Sequence, residues 1–190
     1  MDNQTEKNIG RNVTFDVKDK SSNGIIGELS GYALKFNKPS NESGPFIEYI
    51  DSSAFDGVDL SKVLALYDHD YANILGRVDA GTLKLEVNEI GLKFQIQVPD
   101  TTIGRDVYAN VKAGNLKGMS FGFKVAKGGD LWERANNKPI RVITQIRQFL
   151  EISVVSIPAY EDTNIVVTRS MRALVDHNYR DKVRVYLDRI

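Results

Sequence analysis

The stretch Gly118-Met119-Ser120-Phe121-Gly122-Phe123-Lys124-Val125 alternates strictly between two kinds of residue. Met119, Phe121, Phe123 and Val125 fall on one side of an extended chain, with Gly118, Ser120, Gly122 and Lys124 on the other. A period of two with large apolar residues on one side predicts a strand with one buried face. On the second face the Ser120 hydroxyl stands between two glycines, with open space around it and backbone that a ligand can approach closely. That suits a nucleophile, which a substrate carbonyl has to reach. A serine on a solvated strand face fits the same spacing.

Toward the C-terminus, Gly128-Gly129-Asp130 and Asn136-Asn137-Lys138-Pro139 read as turns. Residues 140–148 and 149–157 read as strands, with a last short one at 165–168. The second of these, Phe149-Leu150-Glu151-Ile152-Ser153-Val154-Val155-Ser156-Ile157, is apolar enough to be central. A carboxylate there needs a compensating partner, and Glu151 either orients an imidazole or pairs with Arg147 or another basic residue. Toward the N-terminus, Thr101 caps a predicted helix carrying Ile103, Val107 and Val111, with Gly114 just past its end. Residues 82–87 and 91–98 alternate across a short turn as a hairpin. Strands are also expected at 25–36, 46–50 and 63–68, with a loop at 38–45 marked by its Pro, Gly, Ser and Asn residues.

The strand at 63–68 runs straight into His69, one of two histidines in the chain. An imidazole at a strand end is a candidate general base and equally an exposed strand-end side chain. Such a base needs an acceptor on its other nitrogen. Asp68 and Asp70 are its neighbours, but consecutive strand residues face opposite ways, so they serve only if the chain turns sharply there. His177 lies among the charges of the tail and is expected to face solvent.

The organisation expected is a polar N-terminal arm at 1–23, one domain at 24–169, and a charged amphipathic helical tail at 170–190. The fold class is mainly β with flanking helices (α+β), as a closed or nearly closed antiparallel β-barrel. Composition excludes several functions. The 25 basic and 25 acidic residues balance, so no field of one sign draws in nucleic acid or an anionic membrane. No cysteine is present, which removes disulfides, thiolate catalysis and Cys-based zinc sites and suits a reducing cytosol. Two histidines cannot build a His-rich metal site, and neither GxxxxGK[ST] nor GxGxxG occurs. No apolar run is long enough to span a bilayer, and the first twenty residues lack the apolar core of a secretory signal. Neither nucleic acid nor a membrane is therefore expected as a partner, while a carboxylate magnesium or calcium site stays open, though no Asp-rich loop with EF-hand spacing occurs.

Several short motifs follow one another along the chain: Gly31-Tyr32-Ala33 with Phe36-Asn37; Glu48 with Ala54-Phe55; Leu66-Tyr67-Asp68-His69-Asp70; and Leu75-Gly76-Arg77. After them come Gly81-Thr82-Leu83-Lys84-Leu85, Gly91-Leu92, Pro99-Asp100-Thr101, the Gly118–Phe123 run, and Leu150-Glu151-Ile152-Ser153-Val154-Val155-Ser156-Ile157-Pro158-Ala159-Tyr160. In this order they resemble the prohead (procapsid) maturation proteases of tailed bacteriophages, over most of residues 28–168. One departure is Asp51-Ser52-Ser53 where the family has Pro-Gly.

The resemblance implies a serine endopeptidase related in fold to the herpesvirus assembly protease, a β-barrel surrounded by helices. It assigns His69 as base, Ser120 as nucleophile and Glu151 as third member, with no metal or cofactor. The implied partners are the major capsid protein with its scaffolding segment, or a separate scaffold protein, and the chain itself through autocleavage or a homo-oligomer. The implied place is the host bacterial cytoplasm, inside the assembling prohead. Backbone N–H groups near residues 156–159, or Arg77, are candidate oxyanion donors. The tail either docks on scaffold or capsid protein and is trimmed on activation, or packs on its own domain. The rival from another class is a non-catalytic scaffold or capsid-assembly module with the same fold.

Overall fold

The computed structural model describes residues 16–22, 24–40, 45–135 and 138–156. The first sheet contains β1 (Asp16–Ser22), β2 (Ile25–Lys35), β6 (Leu83–Val87) and β7 (Gly91–Pro99), in the order β1-β2-β7-β6. The second contains β3 (Ile47–Ile50), β9 (Asp130–Ala135) and β10 (Lys138–Ile143), in the order β3-β10-β9. The third contains β4 (Leu64–Tyr67), β5 (Asp70–Arg77), β8 (Gly118–Val125) and β11 (Ile146–Val155), in the order β5-β4-β11-β8. A single α-helix among the described residues, α1 (Thr102–Lys112), links β7 to β8.

The mainly β class expected from the sequence is what forms. Among the described residues the strands pair as three sheets and not as one continuous hydrogen-bonded ring. They are also not purely antiparallel: β4 runs parallel to β11, and β3 parallel to β10. Both parallel pairs join strands far apart in sequence, since a parallel partner needs a long crossover. Of the N-terminal arm, residues 16–22 form edge strand β1 against β2. Residues 1–15, the predicted strand at 165–168 and the tail with His177 lie outside the described residues.

The helix starts where its cap predicts, with the Gly104 N–H donating to Thr101 Oγ1 at 3.0 Å. Val107, Tyr108 and Val111 are its buried stripe. Tyr108 lies over Gly27 of β2, where an added Cβ would sit 2.4 Å from the ring, so this glycine sets how closely helix and sheet approach. The main core joins the first and third sheets and α1 through Leu29, Phe94, Ile96, Leu75, Ile152 and Val154.

The C-terminal strands divide earlier than the sequence suggests. Expected strands at 140–148 and 149–157 become β10 and β11, with the break at Thr144-Gln145. Both of these N–H groups donate to the Gly129 carbonyl, at 2.8 and 3.0 Å, which ends the β10 ladder. Strand β5 carries almost no apolar alternation, with Asp70, Tyr71 and Ala72 exposed, and exists through its pairing with β4.

The second sheet has its own small apolar cluster, with Ile140 and Val142 packed by Tyr49 and Leu131. Beside it Arg141 is almost fully buried. Its Nη1 donates to Glu48 Oε2 at 3.1 Å and its Nε to Asp130 Oδ2 at 3.0 Å, with the Trp132 ring 5.3 Å away. One cation thus faces two carboxylates. Burial and the Asp130 charge outweigh Arg141, and the Glu48 carboxyl is pushed up to about 7.

Candidate active site

Strand β11 is central in the third sheet, and its neighbours bring the candidate residues to it. Glu151 pairs across with Gly122 of β8 and Leu64 of β4, and Ser153 with Ser120 of β8 and Leu66 of β4. Directly opposite residues in antiparallel strands share a face, and so do residues two apart on one strand. Ser120, Gly122, Glu151 and Ser153 therefore occupy one face. The other face of β8 turns Met119, Phe121 and Phe123 to the core, as the alternation predicts. Phe121 stacks between Phe123 and Phe149, with centroids 5.7 and 6.1 Å away, so the strand rests on a packed aromatic floor.

His69 reaches this face through a tight turn. Tyr67 of β4 pairs with Asp70 of β5, which leaves Asp68-His69 as a two-residue hairpin loop. Both residues are left-handed, with φ of 55° and 60°, the signature of a type I′ turn. Non-glycine residues adopt this region at a cost, and two in succession at a candidate site store strain that the surroundings hold in place. The holding contacts come from β11: Asp68 N–H donates to Val154 O at 2.9 Å, and His69 N–H to Ser153 Oγ at 3.2 Å. The chain does turn sharply at His69, and the turn brings its imidazole to Glu151, whose Oε1 lies 2.9 Å from Nδ1.

Glu151 is buried, its side chain 4% exposed, while the imidazole is 21% exposed. The second carboxylate oxygen, Oε2, accepts the Ser153 hydroxyl at 2.5 Å. Of the two partners weighed for Glu151, an imidazole or a base such as Arg147, the contact is with the imidazole. Gly122 shapes the seat: a Cβ there would lie 2.6 Å from Glu151 Oε1. The space at Gly122, which the alternation suggests for a substrate, is room for the carboxylate.

Ser120 is half-buried across from Ser153. The three candidates thus come from the β4–β5 turn, β8 and β11 of one sheet. Ser153 is not among the residues the sequence pattern singles out, although its position two residues after Glu151 on a strand puts both on one face. Of the candidate oxyanion donors, Arg77 is held by Asp79 in a two-pronged pair, Nε–Oδ1 at 2.5 Å and Nη2–Oδ2 at 2.8 Å. Residues 157–159 lie outside the described residues.

An imidazole held at Nδ1 by a buried carboxylate, on the sheet that carries a serine beside two glycines, is an arrangement suited to acyl transfer. The family model for the caudovirus prohead serine protease matches residues 13–177. The prohead protease of Escherichia phage T5 is 23% identical over 166 residues, spanning 87% of this chain and 72% of that protein. No solved structure matches the chain. With the family match running through all eleven described strands and the described helix, the chain belongs to the caudovirus prohead serine proteases, the serine peptidases of phage capsid maturation.

Proposed function

We propose that the chain is a serine endopeptidase in which Ser120 is the nucleophile, His69 the general base and Glu151 the carboxylate that orients it. The observation that carries this reading is the 2.9 Å contact between His69 Nδ1 and Glu151 Oε1. A carboxylate accepts only, so Nδ1 holds its proton and Nε2 is left to accept the one from Ser120. Ser120 Oγ attacks the peptide carbonyl, and the imidazolium returns its proton to the leaving amine. Water then hydrolyses the acyl-enzyme by the same base. Every proton is accounted for by the imidazole, and the scheme calls for no metal or cofactor.

The substrates proposed are the scaffolding segment of the major capsid protein or a separate scaffold protein, and the chain's own termini, including the tail at 170–190. Inside a closed shell, enzyme and cleavage sites share a small volume, so weak affinity suffices. We also read the first and third sheets as parts of one nearly closed barrel, in support of the likeness to the herpesvirus assembly protease. Strand β2 runs beside β8, and the corner from β5 to β6 is tied by Arg77 N–H donating to Thr82 Oγ1 at 3.0 Å. An experimental structure with solvent between β2 and β8 would undo that reading.

The test is co-expression with the cognate capsid protein, as wild type and as Ser120→Ala, with every product read by intact mass. Wild type is expected to shorten the capsid or scaffold protein and itself, and Ser120→Ala to leave all of them whole. Cutting by Ser120→Ala at the wild-type level would sink the nucleophile assignment. Closed shells with uncut protein in both cases would favour a non-catalytic assembly module.

A further inference from the structure

Ser153 is fully buried, yet its hydroxyl makes two directional contacts, and both are to the proposed catalytic groups. It donates its one proton to Glu151 Oε2 at 2.5 Å and accepts the His69 backbone N–H at 3.2 Å. The direction of each bond is forced: an ionised carboxylate has no proton to give, and a backbone N–H has no lone pair to offer. A single hydroxyl therefore spans the backbone of the base and the carboxylate that orients it, 84 and 2 residues away in sequence.

Each contact fixes a different degree of freedom. The bond to Oε2 sets the rotation of the carboxylate, so that Oε1 faces the imidazole. The bond from His69 N–H helps hold the left-handed turn, without which the ring would swing away from β11. Ser153 also lies directly opposite Ser120 in the strand pair, so the frame that aligns base and carboxylate is the one that carries the nucleophile. We propose that Ser153 is a positioning residue of the active site, acting through both His69 and Glu151. This rests on the assignment of those residues and Ser120 given above. Alanine at 153 would leave a buried carboxylate oxygen and a backbone N–H without their partner, loosening both alignments at once.

The chemistry of the Ser153 hydroxyl also sets a direction that packing alone would not. A hydroxyl donated to a carboxylate draws off part of its negative charge. Without it, the full charge of Oε1 and Oε2 acts on the imidazole and favours its protonated form, in which it cannot act as base. Removing the hydroxyl is thus expected to move the acid limb of the pH–rate profile to higher pH.

The experiment measures the rate at which a fluorophosphonate labels the full-length chain inside shells formed with its capsid protein, across pH and by intact mass. Four chains are compared: wild type, Ser153→Ala, Ser153→Cys and Ser120→Ala. Ser153→Ala is expected to label about 10–100-fold more slowly, with its acid limb shifted upward. Ser153→Cys, similar in size with a weaker donor, is expected to fall between, and keeps the test available if the alanine variant does not fold. Labelling of either Ser153 variant at the wild-type rate, or slowing with an unmoved profile, would overturn the positioning role. Labelling of Ser120→Ala would instead overturn the nucleophile assignment, so the two failures are distinguishable.

Discussion

Glu151 has two hydrogen-bond donors of different kinds, the His69 imidazole on Oε1 and the Ser153 hydroxyl on Oε2. Glu151→Gln keeps the shape but offers only one accepting atom to two donors. The imidazole is then expected to take the wrong tautomer, with peptidase activity down on the order of 10³–10⁴-fold while the chain stays folded. Cleavage of the capsid protein, followed beside thermal unfolding, checks both halves. Gly122→Ala probes the same carboxylate from the other side. Its Cβ would meet Oε1 at 2.6 Å, so we expect a loss of roughly 1–3 kcal/mol in urea unfolding and a sharp fall in labelling at Ser120. A variant that labels as fast as wild type would show that the seat tolerates a methyl group. At this scale the sequence was legible where it alternates: the two faces of β8 follow from period two alone. Alternation also favours Glu151 over Asp68 and Asp70 as the acceptor, but its choice between an imidazole and a basic side chain was not legible, because the contact joins residues 82 apart.

The turn between β4 and β5 is the element on which the site hangs. Asp68 and His69 both hold positive φ, and Asp68 N–H is bonded to Val154 O at 2.9 Å. Asp68→Asn, well suited to this region, is expected to unfold with wild-type stability. Asp68→Val, β-branched, is expected to cost about 1–2 kcal/mol and to slow labelling at Ser120, because relaxing the turn moves the imidazole. Denaturant midpoints for the pair give the comparison, and equal midpoints would argue that the turn is unstrained. Elements with a local signal were readable from sequence. The cap at Thr101 opens α1, and the alternation of Leu92, Phe94, Ile96 and Val98 gives β7. Elements held by partners were not: β1 is an edge strand in a polar stretch, and β5 is imposed by β4. The break at Thr144-Gln145 comes from the distant Gly129 carbonyl, which no local pattern announces.

For the whole molecule, the buried cluster in the second sheet makes stability depend on pH. The folded chain holds the Glu48 proton up to about pH 7, whereas the free carboxyl releases it near 4.5. Between these values the folded state binds more protons, so stability is full at the acid end and falls as pH rises through the window, by roughly 3–4 kcal/mol. Glu48→Gln, which mimics the protonated form, is expected to match wild type near pH 5 and to exceed it near pH 8. Urea midpoints at the two pH values test this, and parallel losses in both proteins would exclude Glu48 as the cause. The pair Arg141–Glu48 spans 93 residues, and the meeting of three sheets was equally invisible in a one-dimensional pattern. What the sequence supplied at this scale was the mainly β class. The central place of β11 has a consequence in time. It is the last described strand, and it inserts between β4 and β8, both of which precede it in the chain. Until residues 146–155 arrive, Glu151 is absent and β11 does not yet bridge the β4–β5 turn and β8. On the proposed assignment a ribosome-bound chain would thus carry its own safety catch: chains stalled before Ile146 are expected to ignore a fluorophosphonate that labels chains carrying all of β11.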